Sequence, residues 1–170
     1  MKQVLLVDDN VGDRALLRYN FGWYGYEALE AGNGEEGLAL ARVERPDLIV
    51  SDALMPVMDG FRFLQAVKAD PDLRSIPFIF YSAVYTGQQE EELALRLGAL
   101  VFIAKPKGRE EFWAEVSNAL VASPESLLRP LSPPLDPNNF IEEYNRLVAL
   151  KLEQKVKELE ETNRRLRPPG

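Results

Sequence analysis

Short apolar runs and amphipathic stretches alternate along the first 122 residues of the chain. Residues 4–7, 27–31, 48–51, 78–82 and 100–103 read as strands, bounded by Gly, Asp, Asn or Pro. Apolar positions recurring every three or four residues predict helices over 12–24, 34–44, 60–69, 88–97 and 109–122. Asn33 with Glu36 three residues on forms a capping box for the second helix, and Gly98 stands where a helix would end before the fifth strand. The first, third, fourth and fifth strands are nearly continuous in apolar residues, the pattern of a sheet covered on both faces. The alternation therefore predicts an α/β domain over residues 1–122: a doubly wound, flavodoxin-like (βα)5 unit with a five-stranded parallel sheet.

Beyond that the pattern changes. Residues 123–137 carry five of the twelve prolines, at 124, 130, 133, 134 and 137, which predicts a stiff linker. Residues 138–167 contain neither Pro nor Gly and predict one long C-terminal helix. Within it Ala149, Val156 and Asn163 fall at heptad position a, and Leu152, Leu159 and Leu166 at d. Val at a with Leu at d favours two parallel strands, and an Asn at a pairs with its mate only in register. A parallel coiled coil, and hence a homodimer, is the expectation.

Composition narrows the chemistry. The 170 residues include no His and no Cys, which excludes thiolate and imidazole metal sites, Ser-His and Cys-His nucleophiles, and disulfides. The formal charge of -7 disfavours a nucleic-acid partner, and the excess acid lies within residues 1–122. No apolar run approaches the ~18 residues that span a bilayer. A cytoplasmic protein with no membrane partner is expected.

The acid matters most where the strands end, because open parallel sheets bind ligands beyond the carboxyl ends of their strands. Asp8 and Asp9 follow the first strand, Asp52 the third, Ser82 and Ala83 close the fourth, and Lys105-Pro106 follows the fifth. With the first and third strands adjacent, three carboxylates converge. They repel one another unless a hard divalent cation such as Mg2+ joins them.

Taken together, Val7-Asp8-Asp9-Asn10, the segment from Asp52 through Met55-Pro56 and Met58-Asp59-Gly60, Ser82-Ala83 and Lys105-Pro106 resemble the receiver domain of two-component response regulators. The resemblance implies a phosphorylation-activated switch. Asp52 would be the phosphoacceptor, charged by a sensor histidine kinase or a phosphotransfer protein. Asp9, Asp52 and the backbone carbonyl of Leu54 would hold Mg2+, with Asp8 acting through water. Ser82, the backbone at Ala83, and Lys105 would bind the phosphoryl oxygens. The resemblance also implies a cis bond before Pro106, and makes Phe102, with Ser82, part of the switch. The segment from Lys151 to Asn163 is similar to the signalling helix that leads from many receivers to an output domain.

Other readings compete. Asp8 and Asp9 alone would merely favour a helix N-terminus, Phe102 would be an ordinary core aromatic, and the tail a solvated helix. A degenerate receiver acting as a dimeric scaffold shares the fold. A Mg2+-dependent aspartyl-nucleophile phosphatase would have Asp-x-Asp after the first strand, where this chain has Asp8-Asp9-Asn10.

Overall fold

The computed structural model describes residues 2–83, 88–121, 149, 152–153 and 156–164. The predicted linker at 123–137, most of the first half of the long helix and Leu166 lie outside the described residues.

Ten elements alternate in order: β1 (Lys2–Val7), α1 (Val11–Trp23), β2 (Tyr26–Ala31), α2 (Gly34–Glu44), β3 (Leu48–Ser51), α3 (Gly60–Ala69), β4 (Phe78–Ser82), α4 (Gln88–Leu97), β5 (Val101–Ala104) and α5 (Arg109–Val121). The five strands form one parallel sheet in the order β2-β1-β3-β4-β5. All five predicted strands and five predicted helices are present, five of them with the predicted bounds and the others displaced by at most two residues. The fifth strand is shifted by one: it runs through Ala104, which pairs with Ser82, while Leu100 stands just before it.

Helix starts follow the side-chain caps. Asn10 accepts a hydrogen bond from the Asp13 N–H at 2.9 Å, Asn33 from Glu36 N–H at 3.0 Å, and Asp59 from Arg62 N–H at 3.0 Å. The Glu36 carboxylate reaches back to the Gly32 N–H at 2.8 Å, one residue beyond the expected reciprocal cap. Gly98 turns the chain out of α4 with φ +111°, a backbone region open to Gly without a Cβ penalty.

Alternation along each strand sends side chains to two layers. Leu5, Val7, Ile49, Phe78, Phe80 and Phe102 pack under α2, α3 and α4. Val4, Leu6, Val50, Ile79, Tyr81 and Ile103 pack under α1 and α5. The edge strand β2 is mostly half-buried, whereas β3 and β4 are buried throughout. In the tail, residues 149, 152–153 and 156–164 are helical, and Ala149, Leu152, Val156, Leu159 and Asn163 are exposed.

Candidate functional site

The chain reverses its direction of winding at β1, which is flanked by β2 on one side and β3 on the other. The crevice at such a point is open to ligands. Val7 lies opposite Ser51, and the Asp52 N–H donates to the Val7 carbonyl at 2.8 Å, so the residues that follow both strands stand side by side. Carboxylate oxygens of Asp8, Asp9 and Asp52 lie within 4.8 Å of one another. Asp8 and Asp52 are buried, and Asp9 is exposed at the rim.

Each group is held by its backbone. The Asn10 N–H donates to Asp8 Oδ1 at 2.9 Å, and the Arg14 guanidinium donates to the Asp8 carbonyl at 2.6 Å. Asp52 Oδ1 accepts from the Ala53 N–H at 2.8 Å and from the Ser82 hydroxyl, which β4 delivers at its buried end. Asp52 Oδ2 takes neither of these donors. Gly60, at the start of α3, lets that helix end close over the acid: a Cβ there would stand 2.1 Å from the Asp52 carbonyl oxygen and 2.7 Å from the Phe80 ring. The Gly60 N–H donates to the Ala53 carbonyl at 2.7 Å.

Lys105 enters from the far edge. Its N–H donates to the Ser82 carbonyl at 2.9 Å, and its peptide bond to Pro106 is cis, as expected. The ammonium donates to Asp8 Oδ2 at 2.7 Å and to Asp13 Oδ2 at 2.9 Å. Burial, with the Asp52 charge beside it, pushes the Asp8 carboxyl above its ordinary value, and the opposing pull of Lys105 and the Asn10 N–H does not cancel this. Burial alone lowers the Lys105 pKa, but the Asp52 charge and the hydrogen bonds to Asp8 and Asp13 outweigh it and hold the ammonium above its usual value. The cluster of Asp8, Asp9 and Asp52 is thus faced by one ammonium, itself shared with Asp13, and remains short of positive charge. Its hard oxygen donors and their closeness fit Mg2+, with Asp8, Asp9 and Asp52 as the residues that would hold it.

The structure brings together every strand-end residue singled out from the sequence. Phe102 is buried in the layer under α4, its ring 5.8 Å from that of Phe80. Ala83 is half-buried and, with Asp13, Leu16, Tyr81, Lys105 and Pro106, lines a cleft of about 260 Å³ between α1 and the β5–α5 connection. Asp13 and Arg14 were not singled out. The available signal was that Asp13 lies in the first turn of α1, the helix that follows directly on the Asp8-Asp9 pair.

Residues 4–117 match the response regulator receiver domain family, and the chain belongs to it. It is 38% identical over 106 residues to sporulation initiation phosphotransferase F of Bacillus subtilis, covering 62% of this chain and 82% of that protein. Among solved structures it is similar to the chemotaxis response regulator CheY4 of Vibrio cholerae, with TM-score 0.66 and 31% identity, covering 70% of this chain and 98% of that one. It is also similar to a chain of the CheX-CheY-BeF3-Mg2+ complex of Borrelia burgdorferi, with TM-score 0.65 and 28% identity, covering 71% and 90%. The chain spans about half the length of longer curated relatives, 48% and 54% of two transcriptional regulators. Among the described residues, no helix is long and apolar enough to cross a membrane.

Proposed function

We propose that this receiver accepts a phosphoryl group on Asp52 from the phosphohistidine of a sensor kinase or phosphotransfer protein, and passes the resulting change on through its C-terminal helix. The observation that carries the reading is the cluster of Asp8, Asp9 and Asp52 faced by the Lys105 ammonium, with the Ser82 hydroxyl on Asp52 itself. A carboxylate oxygen of Asp52 attacks phosphorus. The new O–P bond replaces the N–P bond, whose electron pair returns to the donor imidazole. Such a transfer asks the protein for positioning and charge neutralisation rather than acid-base groups, so a chain without His can perform it. Mg2+, when bound, supplies charge neutralisation at the transferring oxygens.

The chain's own residues do the rest. Ser82, already on Asp52 Oδ1, turns its hydroxyl to a phosphoryl oxygen, the Ala83 backbone offers a further donor, and Lys105 pairs with the added charge. The Leu54 carbonyl would join Asp9 and Asp52 as an oxygen ligand for Mg2+. Movement of Ser82 toward phosphate is transmitted to Phe102 in the layer beneath, where the aromatic side chain already packs on Phe80. In the tail, the exposed helical stripe of Leu152, Val156 and Leu159 supports a parallel coiled-coil homodimer formed by residues 138–167, joined to the receiver over 1–122 by the linker at 123–137.

Incubation with Mg2+ and acetyl phosphate should add one phosphoryl group by intact mass, and Asp52→Asn should abolish it. Equal labelling of that variant would reject Asp52 as the acceptor. Sedimentation of the full chain against a form ending at Ala122 tests the tail: a dimer that persists undiminished without it removes the coil as the dimerising element.

A further inference from the structure

We infer that Asp13 is a positioning residue that competes with the phosphoryl group for Lys105, and so sets how strongly this receiver holds phosphate. The inference rests on Asp52 as the phosphoacceptor. Lys105 Nζ is shared between two carboxylates of different kind. Asp8 is buried beside Asp52 within the acid cluster, whereas Asp13 stands on α1, outside that cluster, with its side chain 43% exposed. The Asp13 contact at 2.9 Å is nearly as short as the Asp8 contact at 2.7 Å.

Both partners of the Asp13 bridge are fixed in place. Asn10 caps α1 through the Asp13 N–H, which sets the carboxylate in the first turn facing the β5–α5 connection. The Lys105 N–H is bonded to the Ser82 carbonyl, which holds the root of the lysine beside the hydroxyl that serves the phosphoryl group. The ammonium has three donor hydrogens, and in the unphosphorylated chain two are engaged by carboxylates. An acyl phosphate at Asp52 adds close to two negative charges and several strong acceptors on the inner side. To pair with it fully, Lys105 withdraws from Asp13. The anion on α1 therefore stabilises the unphosphorylated arrangement and weakens retention of phosphate. Asp8 cannot be the adjustable partner, because it belongs to the acid cluster itself.

A half-exposed ion pair of this kind corresponds to an effect of about two- to fivefold in an equilibrium constant. Asp13→Asn should tighten binding of beryllofluoride in saturating Mg2+ by about that factor, and raise phosphoryl occupancy under subsaturating acetyl phosphate. Asp13→Glu, which keeps the charge, should stay near the parent. In a Lys105→Met background, Asp13→Asn should change occupancy little, since the shared ammonium is gone. Unchanged or weaker beryllofluoride binding in Asp13→Asn would overturn the inference. An equal gain of occupancy with and without Lys105 would overturn it too, by showing a general field effect. Loss of Asp52 labelling in the parent would instead reject the phosphoacceptor reading.

Discussion

The two layers that sandwich the sheet differ in what they are joined to. Under α2, α3 and α4 the aromatic rings run in a line beneath the acid: Phe61 lies 5.2 Å from Phe80, and Phe80 lies 5.8 Å from Phe102. The same layer touches Asp52 directly, because Gly60 brings α3 against its backbone. Under α1 and α5 the rings form a wall instead, with Phe21 edge-on to Tyr26, Phe112 and Trp113. The Tyr81 ring, 4.6 Å from Phe112, ties this wall to the site: its hydroxyl accepts from the Lys107 N–H at 3.0 Å and steadies the loop that carries Lys105. Comparable packing thus serves two ends. One layer is continuous with Asp52, while the other supports the loop that carries Lys105.

The strongest way to break this contrast is to hollow each layer in turn. Phe80→Ala and Phe112→Ala remove fully or nearly buried rings, and each should cost about 3–5 kcal/mol of unfolding free energy. Chemical denaturation should find them similar. Labelling by acetyl phosphate should not: at conditions where both variants are folded, Phe80→Ala should lose most of its phosphoryl occupancy and Phe112→Ala should keep it. Equal retention by both would dissolve the functional difference between the layers.

A smaller effect concerns the acid itself. Because the folded pKa of Asp8 lies above 3.8, the folded chain binds its proton more tightly than the unfolded chain does. Its contribution to stability is fully present below 3.8 and is lost as pH rises through the raised folded value. Without Mg2+, denaturation midpoints should therefore fall over that window, and Asp8→Asn should flatten the fall and stabilise the protein at neutral pH. Saturating Mg2+ should reverse the order, stabilising the parent more than the variant. The smallest effect belongs to the Tyr81 hydroxyl: Tyr81→Phe should cost about 1 kcal/mol, with labelling of Asp52 retained.

Legibility from sequence followed the same physics. β3 and β4 are buried on both faces and declared themselves as nearly continuous apolar runs, whereas β2, at the edge, is interrupted by Glu27 and Glu30 and gave a fainter signal. The end of β5 was misplaced because Ala104 carries little pattern, although the break at Lys105-Pro106 was plain. The convergence of Asp8, Asp9, Asp52, Ser82 and Lys105 was legible because all five stand at or just past strand ends, a position that periodicity locates. Asp13 was not, since an acid in a first helical turn is ordinarily read as satisfying that helix, and its partner is 92 residues away. Nor was the backbone at Val57, which has φ +68° between the Pro56 carbonyl and the Met58 N–H that bond at 2.8 Å. A β-branched residue is among the least suited to that conformation, so nothing in its side chain announces the tight turn.

The chain has two tryptophans, both on the α1 and α5 side of the sheet: Trp113 packs in the wall, and Trp23, at the end of α1, is 64% exposed. Trp113 stacks on Tyr24 at 4.1 Å, and the Arg109 guanidinium lies 4.5 Å over the Trp23 ring. Indole emission is therefore a one-sided reporter. Followed during denaturation, it records the melting of the supporting layer, while far-ultraviolet circular dichroism records the backbone of both; coincident curves would mean that the halves unfold as a single cooperative unit. A rearrangement confined to the Phe80–Phe102 line would pass almost unseen in that optical channel, so a fluorescence change on phosphorylation would itself be evidence that the signal had crossed the sheet.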